Sequence, residues 1–390
     1  MADNASLGAA KTAKNDEFYT QYSDIEAEMN AYVEYNPDVF RGKTILLPCD
    51  DPEWSNFTKY FAANFERFGL KKLISTSYAK GAGNQQLTLF EMESPLYDEE
   101  LHETHGKLFT LSRDKDSSGN IDTDDIEFSG YLEGDGDFRS AEVTKLRDEA
   151  DIIITNPPFS LFREFLAWII VGKKQFVIIG NVNAITYKEV FPLLKDNKVW
   201  LGYSIHSGDR KFNVPDDYPL EAAGCGIDED GRKYIRVKGV RWFTNIDHGG
   251  RHEPLMLDTM AHNLKFNKSL RKKLESDFGI IEYMKYGNYD AIEVPYTECI
   301  PSDYDGVMGV PITFLDFYNP DQFDILGLTI GTLFDGNPLG KDFMKAYRAI
   351  GGTGHYTENM VGLTLMPPNG KAKVPYGRIL IRPKKGDYAK

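Results

Sequence analysis

The chain has 390 residues, enough for two domains, and its 41% hydrophobic and 13% aromatic content is that of a soluble globular protein. Net charge is −14: residues 1–180 hold 18 Lys+Arg against 32 Asp+Glu, and residues 181–390 hold 27 of each. There is no apolar run of about 18 residues to span a membrane. Met1–Lys14 lacks the apolar core of a secretory signal. Three scattered cysteines (Cys49, Cys225, Cys299), with no CxxC and no HExxH, point to a reducing, cytoplasmic setting and away from a zinc enzyme.

In chain order, Ile25, Met29, Tyr32 and Val33 recur at helical spacing, which predicts a helix over Asp24–Tyr35 with Ser23 as its cap. Lys43–Leu47 reads as a buried strand ended by Pro48. Trp54–Phe68 reads as an aromatic-rich amphipathic helix and Lys72–Thr76 as a second strand. Residues 78–135 are acidic and irregular, the pattern of an insertion of short strands and loops. Alternation then returns as strand 151–155, helix Leu161–Val171, strand Gln175–Gly180 and helix Tyr187–Lys195. Strands alternating with helices predict a parallel sheet covered on both faces, with ligands at the carboxyl ends of its strands. Beyond residue 200 the texture changes to short strand-like runs and turns, read as mixed α+β. Residues 1–200 and 201–390 are therefore expected as two domains.

Asn156-Pro157-Pro158-Phe159 follows the apolar run Asp151-Ile152-Ile153-Ile154-Thr155. A buried strand that stops at a rigid Asn-Pro-Pro-aromatic turn suits one chemistry well. The lone pair of an adenine amino group is delocalised into the ring. The Asn156 amide oxygen and the Pro157 carbonyl can each accept one of its hydrogens, drawing the nitrogen toward tetrahedral geometry. Prolines fix φ and remove competing N–H donors, so the acceptors are pre-aimed. Phe159 would stack on the base. A base inside a duplex cannot enter such a turn and has to be flipped out. Methyl transfer would then be direct, from S-adenosyl-L-methionine, with no metal; catalysis comes mostly from alignment.

Further elements fit a cofactor site, each with a structural alternative. Cys49-Asp50-Asp51-Pro52 follows the first strand, where a glycine-rich turn is usual but absent. Asp50 and Asp51 could hold the methionine ammonium, or simply cap the following helix. In Phe18-Tyr19-Thr20, Phe18 could face the cofactor and Thr20 its carboxylate, or the segment could be a capping turn. Asp137 and Phe138, after Gly134-Asp135-Gly136, could meet the adenine of the cofactor, or form an acidic glycine turn. Asp114–Asp125 has calcium-loop spacing but ends in Asp rather than Glu, and reads as a solvated loop. Asn181-Val182-Asn183 could line the target pocket or form a turn. Arg232, Lys233, Arg236, Lys238 and Arg241, with the tail from Lys371 through Arg378, Arg382, Lys384 and Lys385, are either solvated charge or a face for phosphates.

Together, Lys14–Gln21, Cys49–Asn56, Gly134–Arg139 and Thr155–Ser160 resemble the EcoRI-type adenine-specific DNA methyltransferases, a group in which a glycine-free turn after the first strand is characteristic. The resemblance implies a Rossmann-like S-adenosylmethionine-dependent methyltransferase sheet with a C-terminal mixed α+β target-recognition region. It implies N6 methylation of adenine at a specific site in double-stranded DNA. Catalysis is then expected at Asn156, Pro157, Pro158 and Phe159. Cofactor binding is expected at Phe18, Tyr19, Thr20, Cys49, Asp50, Asp51, Pro52, Asp137 and Phe138. A bacterial or phage setting, a monomer, and a cognate restriction endonuclease encoded alongside are also expected. The alternatives are an RNA or protein-amide N-methyltransferase, or a DNA-binding module with a degenerate methyltransferase core.

Overall fold

The structure, a computed structural model, describes residues 18–79, 89–92, 94–115, 117–214, 218, 220, 224–330, 345–346, 348–349, 351, 363–368 and 373–384. Lys14–Glu17, Asp116, Lys371 and Lys385, singled out above, lie outside the described residues. The strands in chain order are β1 (Tyr19–Thr20), β2 (Thr44–Leu47), β3 (Lys72–Thr76), β4 (Lys107–Leu111), β5 (Glu127–Tyr131) and β6 (Ile152–Thr155). They continue as β7 (Gln175–Asn181), β8 (Trp200–Leu201), β9 (Asp209–Asn213), β10 (Gly226–Ile227), β11 (Lys233–Lys238) and β12 (Val240–Thr244). The last four are β13 (Ile292–Glu293), β14 (Met308–Pro311), β15 (Phe323–Leu328) and β16 (Arg378–Pro383).

Eight strands form one mixed sheet in the order β5-β4-β3-β2-β6-β7-β12-β8. Its centre, β3-β2-β6-β7, is parallel. Strands buried on both faces need continuous apolar runs rather than alternation, and β2 and β6 are buried at every position. The flanking helices supply one apolar face each. Phe162–Val171 buries Phe162, Phe165, Leu166, Trp168 and Ile169. The helix Asn56–Ala63 buries Phe57, Tyr60 and Phe61 and is capped by Ser55, whose hydroxyl accepts from the Phe57 and Thr58 amides.

Several boundaries differ from expectation for local reasons. The first helix is Tyr22–Tyr35, with Gln21 at its cap position and no side-chain cap, so Ser23 lies inside it. The helix expected over Trp54–Phe68 is two, Asn56–Ala63 and Phe65–Phe68. It breaks at Asn64, whose side-chain amide returns to the Tyr60 carbonyl. The helix expected over Tyr187–Lys195 shortens to Phe191–Lys195, with Pro192 in its first turn.

The insertion adds β4 antiparallel to β3 and β5 antiparallel to β4. It is anchored by a buried cluster. Glu91 accepts from Lys107 Nζ at 2.5 Å and Tyr131 Oη at 3.1 Å, and its carboxylate lies 2.9 Å from His102 Nδ1. In the Asp114–Asp125 loop the acids hold backbone amides instead of converging. Asp114 takes those of Ser117 and Gly119, and Asp125 takes those of Lys115 and Asp122. Among the described residues no group of three or more His, Cys, Asp or Glu is placed to hold a metal, and no helix is long and apolar enough to cross a membrane.

The chain divides into two compact units, Met1–Ala184 with Trp200–Gly249, and Ile185–Val199 with Gly250–Lys390. The division does not fall at residue 200, because β12 returns to the central sheet and pairs with β7 from Val240 to Thr244. The first unit also carries a four-stranded sheet in the order β1-β9-β11-β10. The second unit has its own sheet, β13-β14-β16-β15. Its core includes Leu270, Leu274, Met308, Val310, Phe314 and Ile379–Ile381, and the buried Glu293 is clamped by the guanidinium of Arg378 at 2.6 Å.

Candidate active site

Within the parallel centre, the chain passes from β2 to β3 on one side and later returns to β6 on the other. Such a reversal of strand order opens a crevice at the carboxyl ends of the two middle strands. Pro48-Cys49-Asp50-Asp51 leaves β2 there and Asn156-Pro157-Pro158-Phe159 leaves β6 there. The two turns are bonded together. The Thr155 hydroxyl lies 2.5 Å from Asp50 Oδ2 and 2.9 Å from the Pro48 carbonyl. The Asp50 amide donates to the Thr76 carbonyl at the end of β3, at 2.7 Å.

The turn after β2 explains its missing glycine. Cys49 has φ +66°, a left-handed conformation that glycine adopts without strain. Its amide donates to Thr76 Oγ1 at 3.3 Å. Asp50 is almost wholly buried. Its second oxygen takes the Ser55 hydroxyl at 2.7 Å, and Ser55, not an aspartate, caps the following helix. Burial pushes the Asp50 carboxyl up to about 7, against the two hydroxyls that favour its ionised form. Asp51 is pushed up to about 6 by burial as well, while the Glu53 amide and the Lys107 charge pull it down. Pro52 is buried beneath the turn. Glu53 keeps one carboxylate oxygen, Oε2, buried with no hydrogen-bond partner, and its carbonyl takes Lys59 Nζ at 2.6 Å.

The Asn156–Phe159 turn is oriented from a distant part of the sequence. Asn156 Nδ2 donates to the Phe18 carbonyl at 2.7 Å. A carbonyl can only accept, so this bond fixes which end of the amide faces which way, and it leaves Oδ1 buried with no partner. Pro157 is buried; Pro158 and Phe159 are half-buried, and a single 3-10 turn, Phe159–Leu161, follows. The Phe159 ring lies 5.6 Å from Phe18 and 6.4 Å from Phe212. Phe18 in turn meets Phe212 and Tyr218.

Phe18, Tyr19 and Thr20 form the edge of the four-stranded sheet, with Tyr19 opposite Asn213 and Thr20 opposite Phe212. Thr20 is buried, its carbonyl takes Asn56 Nδ2 at 2.7 Å, and its hydroxyl has no partner. Three loops that are bonded to one another thus each leave a buried oxygen unsatisfied: Thr20 Oγ1, Glu53 Oε2 and Asn156 Oδ1. An unsatisfied buried polar atom costs roughly 1–3 kcal/mol. The three segments that carry them are joined by the Asn56–Thr20, Asn156–Phe18 and Thr155–Asp50 bonds.

The Gly134–Phe138 segment is docked onto the same edge but in another state. Gly136 has φ +85°, and a side chain there would strike the Ser77 carbonyl just past β3. Asp137 is ion-paired within its own turn. Arg139 binds it through Nε at 2.9 Å and a terminal nitrogen at 2.6 Å, and holds it below the usual carboxylate range. Phe138 is buried against Phe165 and Trp168, at 4.9 and 5.6 Å, which is the position of a core residue. Asn181 binds the Lys238 carbonyl and the Asn183 amide, which closes a turn. Glu53, Ser55 and Thr155 fell within stretches singled out from sequence but were given no role, while Phe212 and Tyr218 were not singled out. Ser55 had a local signal, as a serine before a helical run; Thr155 bonds Asp50, and Phe212 and Tyr218 meet Phe18, only across long stretches of sequence.

Comparison with known proteins gives the same chemistry. A family profile described as "Adenine-specific methyltransferase EcoRI" matches residues 6–384. The type II methyltransferase M.EcoRI of Escherichia coli is 44% identical over 325 residues, covering 83% of this chain and 89% of that protein. M.MpnI of Mycoplasma pneumoniae is 33% identical over 319 residues, covering 81% of this chain and 83% of that protein. M.MgeORF184P of Mycoplasma genitalium is 34% identical over 319 residues, covering 81% and 84%. No solved structure matches significantly. The profile spans nearly the whole chain, and the chain belongs to the EcoRI family of adenine-specific methyltransferases.

Proposed function

We propose that the chain methylates N6 of adenine at a specific site in double-stranded DNA, with Asn156 as the residue that engages the amino group. The observation that carries this reading is the state of Asn156: its NH2 is committed to the Phe18 carbonyl, and its oxygen is buried, unpartnered and available for an N–H donor. The Pro157 carbonyl takes the second hydrogen, and the half-buried Phe159 offers a ring to the extruded base. A duplex base reaches this turn only by flipping.

The residues present fit S-adenosyl-L-methionine. When bound, it supplies an electrophilic methyl on a sulfonium. Asp51 and Glu53 would hold its ammonium, Asp50 bracing them from behind through Ser55 and Thr155. Thr20 would meet its carboxylate, and the Cys49–Pro52 turn would line its path. Carboxyls raised to about 7 and about 6 are poised to lose a proton when a cation arrives. Asp137 and Phe138 contribute shape to the same edge, in a Rossmann-like methyltransferase arrangement of the parallel strands. The second compact unit is the candidate reader of the target sequence. The setting is bacterial or phage cytoplasm, as a monomer, with a cognate restriction endonuclease encoded alongside.

The test is twofold. Sequencing of modified bases in DNA from cells expressing the chain should give N6-methyladenine in one short motif. Asn156→Ala should abolish it while the protein still binds S-adenosylhomocysteine within a few-fold of wild type. Methylation by this variant at the wild-type rate would refute the assignment.

A further inference from the structure

We propose that the outward face of β9 and β11 holds the DNA phosphate backbone next to the catalytic turn, through Lys211, Arg236 and Lys238. This rests on the DNA-methylation reading above. Strand alternation sorts the two strands cleanly. Phe212, Ile235 and Val237 are buried inward, while Arg236 and Lys238 are exposed. The register sets Arg236 opposite Lys211 and Lys238 opposite Asp209, so the cations share one face.

The basic cluster seen in the sequence is thereby narrowed. Arg241 is buried and bonded to the Val240 and His206 carbonyls, so it cannot face a ligand. Arg232 lies by the acidic turn, paired with Asp230 and Asp228. Positive charge is left on the part of the ribbon nearest Val240. Among the described residues Arg236 is held only by an exposed, 3.8 Å pair with Asp209, and Lys238 is exposed; Lys211, half-buried, is hydrogen-bonded to Asp228 at 3.2 Å and lies over the Tyr234 ring, so it backs the face rather than leading it. Exposed pairs of this kind are worth about 0–1 kcal/mol and exchange readily for phosphate.

Position gives the face its meaning. β9 is hydrogen-bonded to β1, whose Phe18 carbonyl orients Asn156, and Phe212 on the inner side packs against Phe159. The cations thus lie on the opposite face of the same ribbon whose inner face packs against Phe159. A duplex with one base at Phe159 has its flanking phosphates within reach. The contrast in charge adds to this. Residues 1–180 carry −14, whereas the outward phase of β9 and β11 holds Lys211, Arg236 and Lys238 against Asp209. Phosphates are repelled by the acidic N-terminal half and drawn to the ribbon.

The experiment is a salt titration of DNA binding by the full chain carrying R236Q and K238Q together, read by fluorescence anisotropy on a duplex with the methylation site and on an unrelated duplex. The slope of log affinity against log salt should become shallower by about 2, since each phosphate contact contributes about 0.9. Both duplexes should weaken by the same factor, and binding of S-adenosylhomocysteine should not change. K238Q alone, at an exposed position, should lose about half as much slope and serves if the double variant does not fold. An unchanged slope, or a loss confined to the site-bearing duplex, overturns the proposal. Absence of site-specific methylation by the wild-type chain would instead sink the functional reading on which it rests.

Discussion

Two turns at the same sheet edge, Asn156–Phe159 and Gly134–Phe138, both offered chemistry as sequence, the second with an acidic glycine turn as its equal alternative, and they differ as structure. In the first, one side-chain atom is bonded to a distant carbonyl and the other is left buried and open. In the second, the carboxylate is closed by the guanidinium two residues along and the aromatic ring is in the core. A polar residue in a loop announces its chemistry but not whether its valences are already used. Only tertiary contacts decide that.

The sharpest way to break the contrast is at Asn156. Asn156→Ala should lower single-turnover methylation by about 10²–10³, the range for removing one preorganised hydrogen-bonding group, with cofactor affinity changed only a few-fold. Next is Glu53→Gln, which should weaken S-adenosylhomocysteine binding by about tenfold while leaving methylthioadenosine, which lacks the ammonium, unaffected; calorimetry checks both. Equal loss for the two ligands would remove Glu53 from the ammonium site.

Asp50 gives a pH-dependent effect. Its folded value, about 7, stands above the ordinary 3.8. Its contribution to stability is therefore present below pH 4 and is lost as pH rises toward 7. Asp50→Asn should escape that loss, so the melting temperature of the cofactor-free variant should exceed wild type by a few degrees at pH 8 and by less at pH 5. The smallest effect is expected at Asp137. Asp137→Asn should change cofactor affinity less than about threefold, since its partner Arg139 is half exposed and such a pair is worth little. A tenfold loss would erase the difference between the two turns.

Much of this was readable in the chain. The parallel centre showed as β-branched runs at 44–47, 72–76, 152–155 and 175–181, because strands buried on both faces cannot alternate. The convergence of the β2 and β6 turns followed from topology alone. What stayed hidden depended on distance in sequence. β12 sits beside β7 although 60 residues separate Asn181 and Val240, with the ribbon intervening, so a boundary at 200 looked natural. The break at Asn64 is one side-chain amide choosing a backbone carbonyl, a competition that helical periodicity does not register. The basic run Arg232–Lys238 gave its period but not which phase faced water.

The two-residue strand β1 has a consequence for how the enzyme comes into being. Its partners Phe212 and Asn213 are made nearly two hundred residues later, and Gln21 reaches the same Asn213 at 2.7 Å. A growing polypeptide on the ribosome therefore holds a finished central strand and proline turn before it holds the strand that pairs with the first segment. Clipping the chain just ahead of Tyr22 is expected to lower methylation while leaving the large sheet folded, as circular dichroism and a methylation assay on the clipped chain would show.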